Sequence, residues 1–136
     1  MSIFEQAKTL KVKTKGKRIL IVDDEPDIAL TLQICLEPLG YKVDTYNDSV
    51  FALENFKASI YDLVILDIKI PKMNGYQLYE RMKEIDQDVK VCFMTAYETY
   101  EDNFLKLISE STVNCVIRKP VTLDELVTKI NMQLTN

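Results

Sequence analysis

Asp62-Leu63-Val64-Ile65-Leu66-Asp67 decides how this chain folds. Four consecutive apolar residues between two carboxylates are too short a run for a helix. They are also too uniformly apolar for a strand with one wet face, so they read as a strand buried on both sides. Ile68, Lys69, Ile70 and Pro71 follow, and then Asn74-Gly75, a turn signal that leaves Asp67 at the strand's C-terminal end. In an open α/β sheet that end faces the ligand crevice, so a carboxylate there is placed for chemistry. The competing reading, in which Asp67 only caps the turn, weakens as the remaining chain is read.

The 136 residues suit one domain with one core, and a hydrophobic share of 47% is ordinary for a globular protein. No apolar run approaches the ~18 residues that span a bilayer, so a cytoplasmic location is expected. Cys35, Cys92 and Cys115 each lie in an apolar segment; the odd count, with no export signal, predicts reduced and buried thiols, without disulfides or a thiolate metal site. Histidine is absent, which excludes histidine-dependent nucleophilic catalysis, histidine-ligated zinc and a phosphohistidine carrier. Three glycines, Gly16, Gly40 and Gly75, cannot write a dinucleotide or nucleoside triphosphate glycine motif. The net charge of -4 is uneven: residues 1 to 18 hold six basic side chains against Glu5. Residues 1 to 16 read as a basic arm, solvated or partly helical, with a membrane, nucleic-acid or protein surface as the competing reading.

Outward from the central strand, Ile19 to Val22 forms a second fully buried strand ending in Asp23-Asp24-Glu25, and Pro26 then opens a helix that Gly40 stops. Tyr41 to Tyr46 alternates as an edge strand, and Asn47 or Asp48 caps a helix burying Val50, Leu53 and Phe56. Beyond Asn74-Gly75 come a helix over 76–85, a strand over 89–94 ending at Thr95, a helix over 97–108, a strand over 113–117 followed by Lys119, and a last helix opened by Thr122 and Glu125. Alternation of this kind implies right-handed crossovers and one doubly wound, five-stranded parallel sheet with helices on both faces.

Asp23, Asp24, Asp67, Thr95 and Lys119 all fall at C-terminal strand ends. In the order 2-1-3-4-5 strands one and three are neighbours, and the three carboxylates share one crevice. Clustered carboxylates take up protons or a cation, and an all-oxygen donor set favours Mg²⁺, or Mn²⁺. Lys119 adds a compact positive charge suited to a phosphoryl oxygen and Thr95 a hydroxyl, which leaves Asp67 as the nucleophile.

Val22-Asp-Asp-Glu-Pro26, Leu66-Asp-Ile-Lys-Ile-Pro-Lys-Met-Asn-Gly75, Met94-Thr-Ala96 and Arg118-Lys-Pro120 together resemble the signature blocks of response-regulator receiver domains of two-component signalling, with the receiver domain spanning residues 17 to 136. The resemblance implies a flavodoxin-like fold. It also implies that Asp67 accepts a phosphoryl group from the phosphohistidine of a sensor histidine kinase or phosphotransfer protein. Asp23, Asp24, Asp67 and the Lys69 carbonyl would hold Mg²⁺, Asp23 mostly through water, while Lys119 and Thr95 would bind phosphoryl oxygens and the Lys119-Pro120 bond would be cis. Output would pass to a downstream protein through the face of the fourth helix, fifth strand and fifth helix, from a monomer or weak homodimer with no direct nucleic-acid contact. An aspartate-nucleophile phosphatase is the competing class. It normally wants an acid two residues after the nucleophile, where this chain has Lys69, so multiple turnover is not expected.

The chain departs from the family pattern at Val116, where most receivers carry an aromatic that turns inward on activation, and activation is expected to repack the 97–102 segment instead. Tyr97, two residues past Thr95, is expected to obstruct the water that attacks the acyl phosphate. Tyr97→Ala should therefore speed loss of the phosphoryl group, and an unchanged decay rate would contradict that role.

Overall fold

The computed structural model describes residues 16–96, 106, 110 and 113–135. Strand β1 (Arg18–Val22) leads to α1 (Pro26–Leu36), β2 (Lys42–Tyr46), α2 (Ser49–Asn55), β3 (Leu63–Asp67), α3 (Gly75–Ile85), β4 (Val91–Ala96), β5 (Val116–Lys119) and the C-terminal helix α4 (Leu123–Leu134). All strand pairings are parallel, in the order β2-β1-β3-β4-β5. The sequence-derived topology is the one observed.

Apolar residues with the period of a pleated strand sort the core into two layers. Ile19, Ile21, Leu63, Ile65, Met94 and Ile117 turn to one face, where Leu32 and Leu36 of α1 and Leu126 and Ile130 of α4 cover them. Leu20, Val22, Val64, Leu66 and Phe93 turn to the other and pack against Ala52 of α2 and Leu78 and Met82 of α3. Every residue of β3 is buried, as its uninterrupted apolar run requires.

Helix ends follow local chemistry. Pro26 occupies the first turn of α1, and the helix tightens into a 3-10 turn over Glu37–Leu39, where Pro38 offers no N–H, before Gly40 closes it at φ 99°. Asp48 accepts from the Phe51 N–H to cap α2. Asn74 and Gln77 form a reciprocal capping box on α3, whereas Thr122 accepts from the Glu125 N–H at the start of α4. The Asn74–Gln77 spacing of this box is present in the sequence, where Asn74-Gly75 also carries a turn signal.

Several expectations need correction. Cys92 and Cys115 form a disulfide, and Cys35, the one free thiol, is half-buried and not part of the core. Counting cysteines could not find the pair, which forms because β4 and β5 lie side by side and bring those two positions opposite one another. Val50 is exposed and Ala52 buried in α2, a shift of the inner face that a helix of two turns leaves weakly specified. Strands β4 and β5 start and end later than expected, so Thr95 and Lys119 are ladder residues within their strands and not the first residues beyond them. The arm up to residue 15 and almost all of the helix expected over 97–108 lie outside the described residues.

Gly75 packs against the strand end it follows. Its N–H donates to the Ile68 carbonyl at 2.8 Å, and a Cβ at this position would run into the Asp67 carbonyl oxygen. That neighbour is backbone and has no rotamer to retreat into. Gly75→Ala should accordingly cost about 1–3 kcal/mol in chemical denaturation, and an unchanged midpoint would contradict this packing.

Candidate functional site

Parallel pairing builds the site. Val22 of β1 is the partner of Leu66 of β3, so the next residue of each chain segment, Asp23 and Asp67, emerges side by side at the C-terminal edge of the sheet. Met94 is the partner of Asp67 and Ala96 of Lys119, which carries the row on through Thr95 to the edge strand. The Lys119-Pro120 peptide bond is cis, as the family resemblance implied.

One ammonium group ties the row together. Lys119 Nζ lies 2.9 Å from Asp23 Oδ2, 3.2 Å from Asp67 Oδ2 and 3.8 Å from Glu25 Oε1. It donates a hydrogen bond to Asp67, whereas its approach to Asp23 Oδ2 is an ion pair outside hydrogen-bonding geometry, which leaves that oxygen buried with no hydrogen-bond partner. The other Asp23 oxygen accepts from the Glu25 N–H at 2.9 Å. Asp23 is fully buried and Asp67 is 5% exposed, so Asp67 keeps only a narrow opening to solvent.

Burial, and after it the charge of Asp23, pushes the Asp67 carboxyl up to about 7 against the opposing pull of Lys119. Lys119 itself is shifted up: burial works against its charge, but the contacts with Asp23 and Asp67 outweigh it. Among the described residues, Asp23, Glu25 and Asp67 all lie within 3.8 Å of the Lys119 ammonium, and Asp24 adds further negative charge beside Asp67, so the crevice is short of positive charge.

A divalent cation fits that deficit. Asp23, Asp24 and Glu25 present carboxylate oxygens within 4.8 Å of one another, the donors are all hard oxygens, and Asp23 Oδ2 is buried without a hydrogen bond. Glu25 is the member of this cluster that sequence reasoning passed over; the signal was its place as the third acid in a row. Thr95 reaches the correct strand end, but its hydroxyl donates to the Ala96 carbonyl at 3.3 Å. Lys69 lies on the turn after β3 with its side chain exposed, and Tyr97 is outside the described residues. Beside Lys119 an apolar cleft between α1 and the end of β5, lined by Ile28, Thr31, Leu32, Met94 and Val121, opens to solvent. Sequence periodicity gave no sign of it, because these residues come from three separate elements.

These features define an open parallel α/β protein with an acidic, lysine-bridged crevice at the switch point of its sheet. The chain belongs to the response regulator receiver domain family, whose model matches residues 19–131. It is 36% identical over 118 residues to the transcriptional regulatory protein DltR of Streptococcus agalactiae serotype III (strain NEM316), covering 85% of this chain and 51% of that one. Identity is 37% over 108 residues to the sensor histidine kinase RcsC of Salmonella typhi, covering 79% of this chain and 11% of the kinase. The response regulator protein TrrA of Thermotoga maritima, solved in complex with Mg²⁺-BeF, superposes with a TM-score of 0.72 at 32% identity, covering 87% of this chain and 99% of that one. The chain therefore spans about half the length of the transcriptional regulators it matches.

An acid whose pKa rises on folding penalises the fold in its charged form. For Asp67 that penalty is absent below the unfolded value near 4, grows with pH, and is complete above about 7. Without divalent cations, Asp67→Asn should be more stable than the parent protein at pH 8 by about 1–3 kcal/mol, and the difference should shrink as pH falls from 7 towards 4. Equal stability of the two proteins at pH 8 would contradict the charge deficit.

Proposed function

We propose that this chain is a phosphorylation-activated signalling switch in which Asp67 accepts a phosphoryl group from the phosphohistidine of a sensor histidine kinase or a histidine phosphotransfer protein. The observation that carries the reading is the position of Lys119 Nζ, within 3.2 Å of both Asp23 and Asp67 at the crevice where strands β1 and β3 part. A carboxylate held beside an ammonium on rigid strand ends suits phosphoryl transfer, in which positioning and charge do most of the catalysis.

Asp23, Asp24, Asp67 and the Lys69 carbonyl would hold Mg²⁺, with Mn²⁺ a substitute. The ion supplies positive charge for the oxygens of the transferring group. An Asp67 carboxylate oxygen attacks phosphorus in line, the N–P bond to the imidazole breaks, and the departing nitrogen takes its proton from solvent. Lys119 exchanges its Asp67 contact for a phosphoryl oxygen, and the Thr95 hydroxyl turns from the Ala96 carbonyl to another. Burial of Asp67 limits the access of water to the resulting acyl phosphate. Lys69 stands two residues beyond Asp67, where an aspartate-nucleophile phosphatase normally carries its acid, which argues against multiple turnover.

The output is a changed protein-binding face that includes β5 and α4. Relatives that are transcriptional regulators and a sensor kinase support a place in two-component signalling. No helix among the described residues is long and apolar enough to cross a membrane.

Incubation with a small acyl-phosphate donor and Mg²⁺ tests the proposal. The expected product carries one acid-stable, base-labile phosphoryl group that is absent in Asp67→Asn. Continuous release of phosphate would make the chain a phosphatase, and no incorporation would make it a binding module.

A further inference from the structure

The Cys92–Cys115 disulfide has no part in phosphoryl chemistry, and its position gives it one in control. Cys92 is the second residue of β4, three before Thr95, and Cys115 immediately precedes β5, four before Lys119. Their Cα atoms are 4.6 Å apart and the bridge closes a separation of 23 residues, which encloses the whole crossover between β4 and β5. Strands are stiff, so a covalent tie near the start of this pair restricts how far the two C-terminal ends, with Thr95 and Lys119, can shift relative to one another. Those are the residues that must move onto a phosphoryl group.

We propose that Cys92 and Cys115 form a redox-sensitive clasp on the β4–β5 pair that holds the unphosphorylated arrangement, so that reduction of the disulfide favours phosphorylation of Asp67. The inference rests on the signalling function proposed above. Disulfides within reducing compartments are characteristically transient and regulatory. Both cysteines are buried, Cys92 fully and Cys115 to 4% exposure, beneath Leu126, Val127 and Ile130 of α4. A reductant therefore acts only through local opening, and the geometry makes that opening cheap: β5 is a four-residue edge strand, paired on one side only. Cys35 is no rival, since burial raises its pKa and keeps it protonated.

The exchange balances. A thiolate of a dithiol attacks one sulfur of the bridge, the S–S bond breaks to give a mixed disulfide, and the second thiol of the reductant displaces it. Two electrons and two protons pass to Cys92 and Cys115, and the dithiol leaves as its own disulfide. A low-molecular-weight disulfide reverses the reaction.

The test compares the full chain treated with oxidised glutathione with the same chain treated with dithiothreitol. Alkylation and mass measurement should count one free thiol in the first and three in the second. With an acyl-phosphate donor and Mg²⁺, phosphoryl occupancy should be roughly fivefold or more higher in the reduced protein, the scale of an ordinary coupling between two sites. By linkage, reduction should tighten the binding of beryllofluoride with Mg²⁺, and beryllofluoride should in turn lower the dithiothreitol concentration needed for half-reduction. The double variant Cys92→Val/Cys115→Ala should behave as the reduced protein and ignore dithiothreitol. Three free thiols after oxidant treatment, a dithiothreitol response that survives in the double variant, or equal occupancy in the two forms would overturn the clasp. Absence of phosphoryl uptake in both forms would sink the signalling function and the clasp with it, whereas equal uptake would sink the clasp alone.

Discussion

A single lysine ammonium between two buried carboxylates is the contact on which the rest of this molecule turns. Asp23 could not be fully buried as an anion without it, because an unpaired carboxylate in a dry site costs several kcal/mol. Lys119, which is only 13% exposed along its side chain, has the same need in reverse. The pairing is incomplete by design of the donor set: one positive charge faces Asp23, Asp67 and the nearby Asp24 and Glu25. A fold that carries this deficit suits a divalent cation, and its free energy depends on whether positive charge is supplied there.

Sheet topology makes the contact possible. Asp23 and Asp67 are 44 residues apart in the chain, and they meet because β1 and β3 are hydrogen-bonded neighbours in matched register. Lys119 reaches them across β4 from the edge strand. The two-layer core keeps these strand ends rigid, with α1 and α4 on one face and α2 and α3 on the other, so the crevice is positioned by packing that lies well away from it. Gly75 adds a local brace, since α3 starts against the backbone of Asp67.

Much of this was legible from residue pattern. The runs at Ile19–Val22 and Leu63–Leu66 are apolar on both faces, and no other regular element accommodates that; once they are parallel neighbours, Asp23 and Asp67 have to converge. Lys119 and Thr95 were placed by the same reasoning at the ends of β5 and β4, although their inclusion in the ladder was not foreseen, because a polar residue in a short strand is indistinguishable from the first residue of a loop. The Cys92–Cys115 bridge was misread because pairing depends on register between strands, a property no count of cysteines contains. Val50 faces solvent against expectation because seven residues of helix give too little periodicity to fix a face. Glu25 and the apolar cleft beside Lys119 depend on how α1 leans over the crevice, which is a matter of packing.

Convergence of the carboxylates on one cation is the central claim, and calorimetric titration with Mg²⁺ reads it directly. The parent protein should bind one ion, and Asp23→Asn and Asp67→Asn should each weaken binding by roughly tenfold or more, since each removes a charge from the same oxygen donor set. Retention of full affinity by Asp67→Asn would place that carboxylate outside the cation's reach and contradict the account.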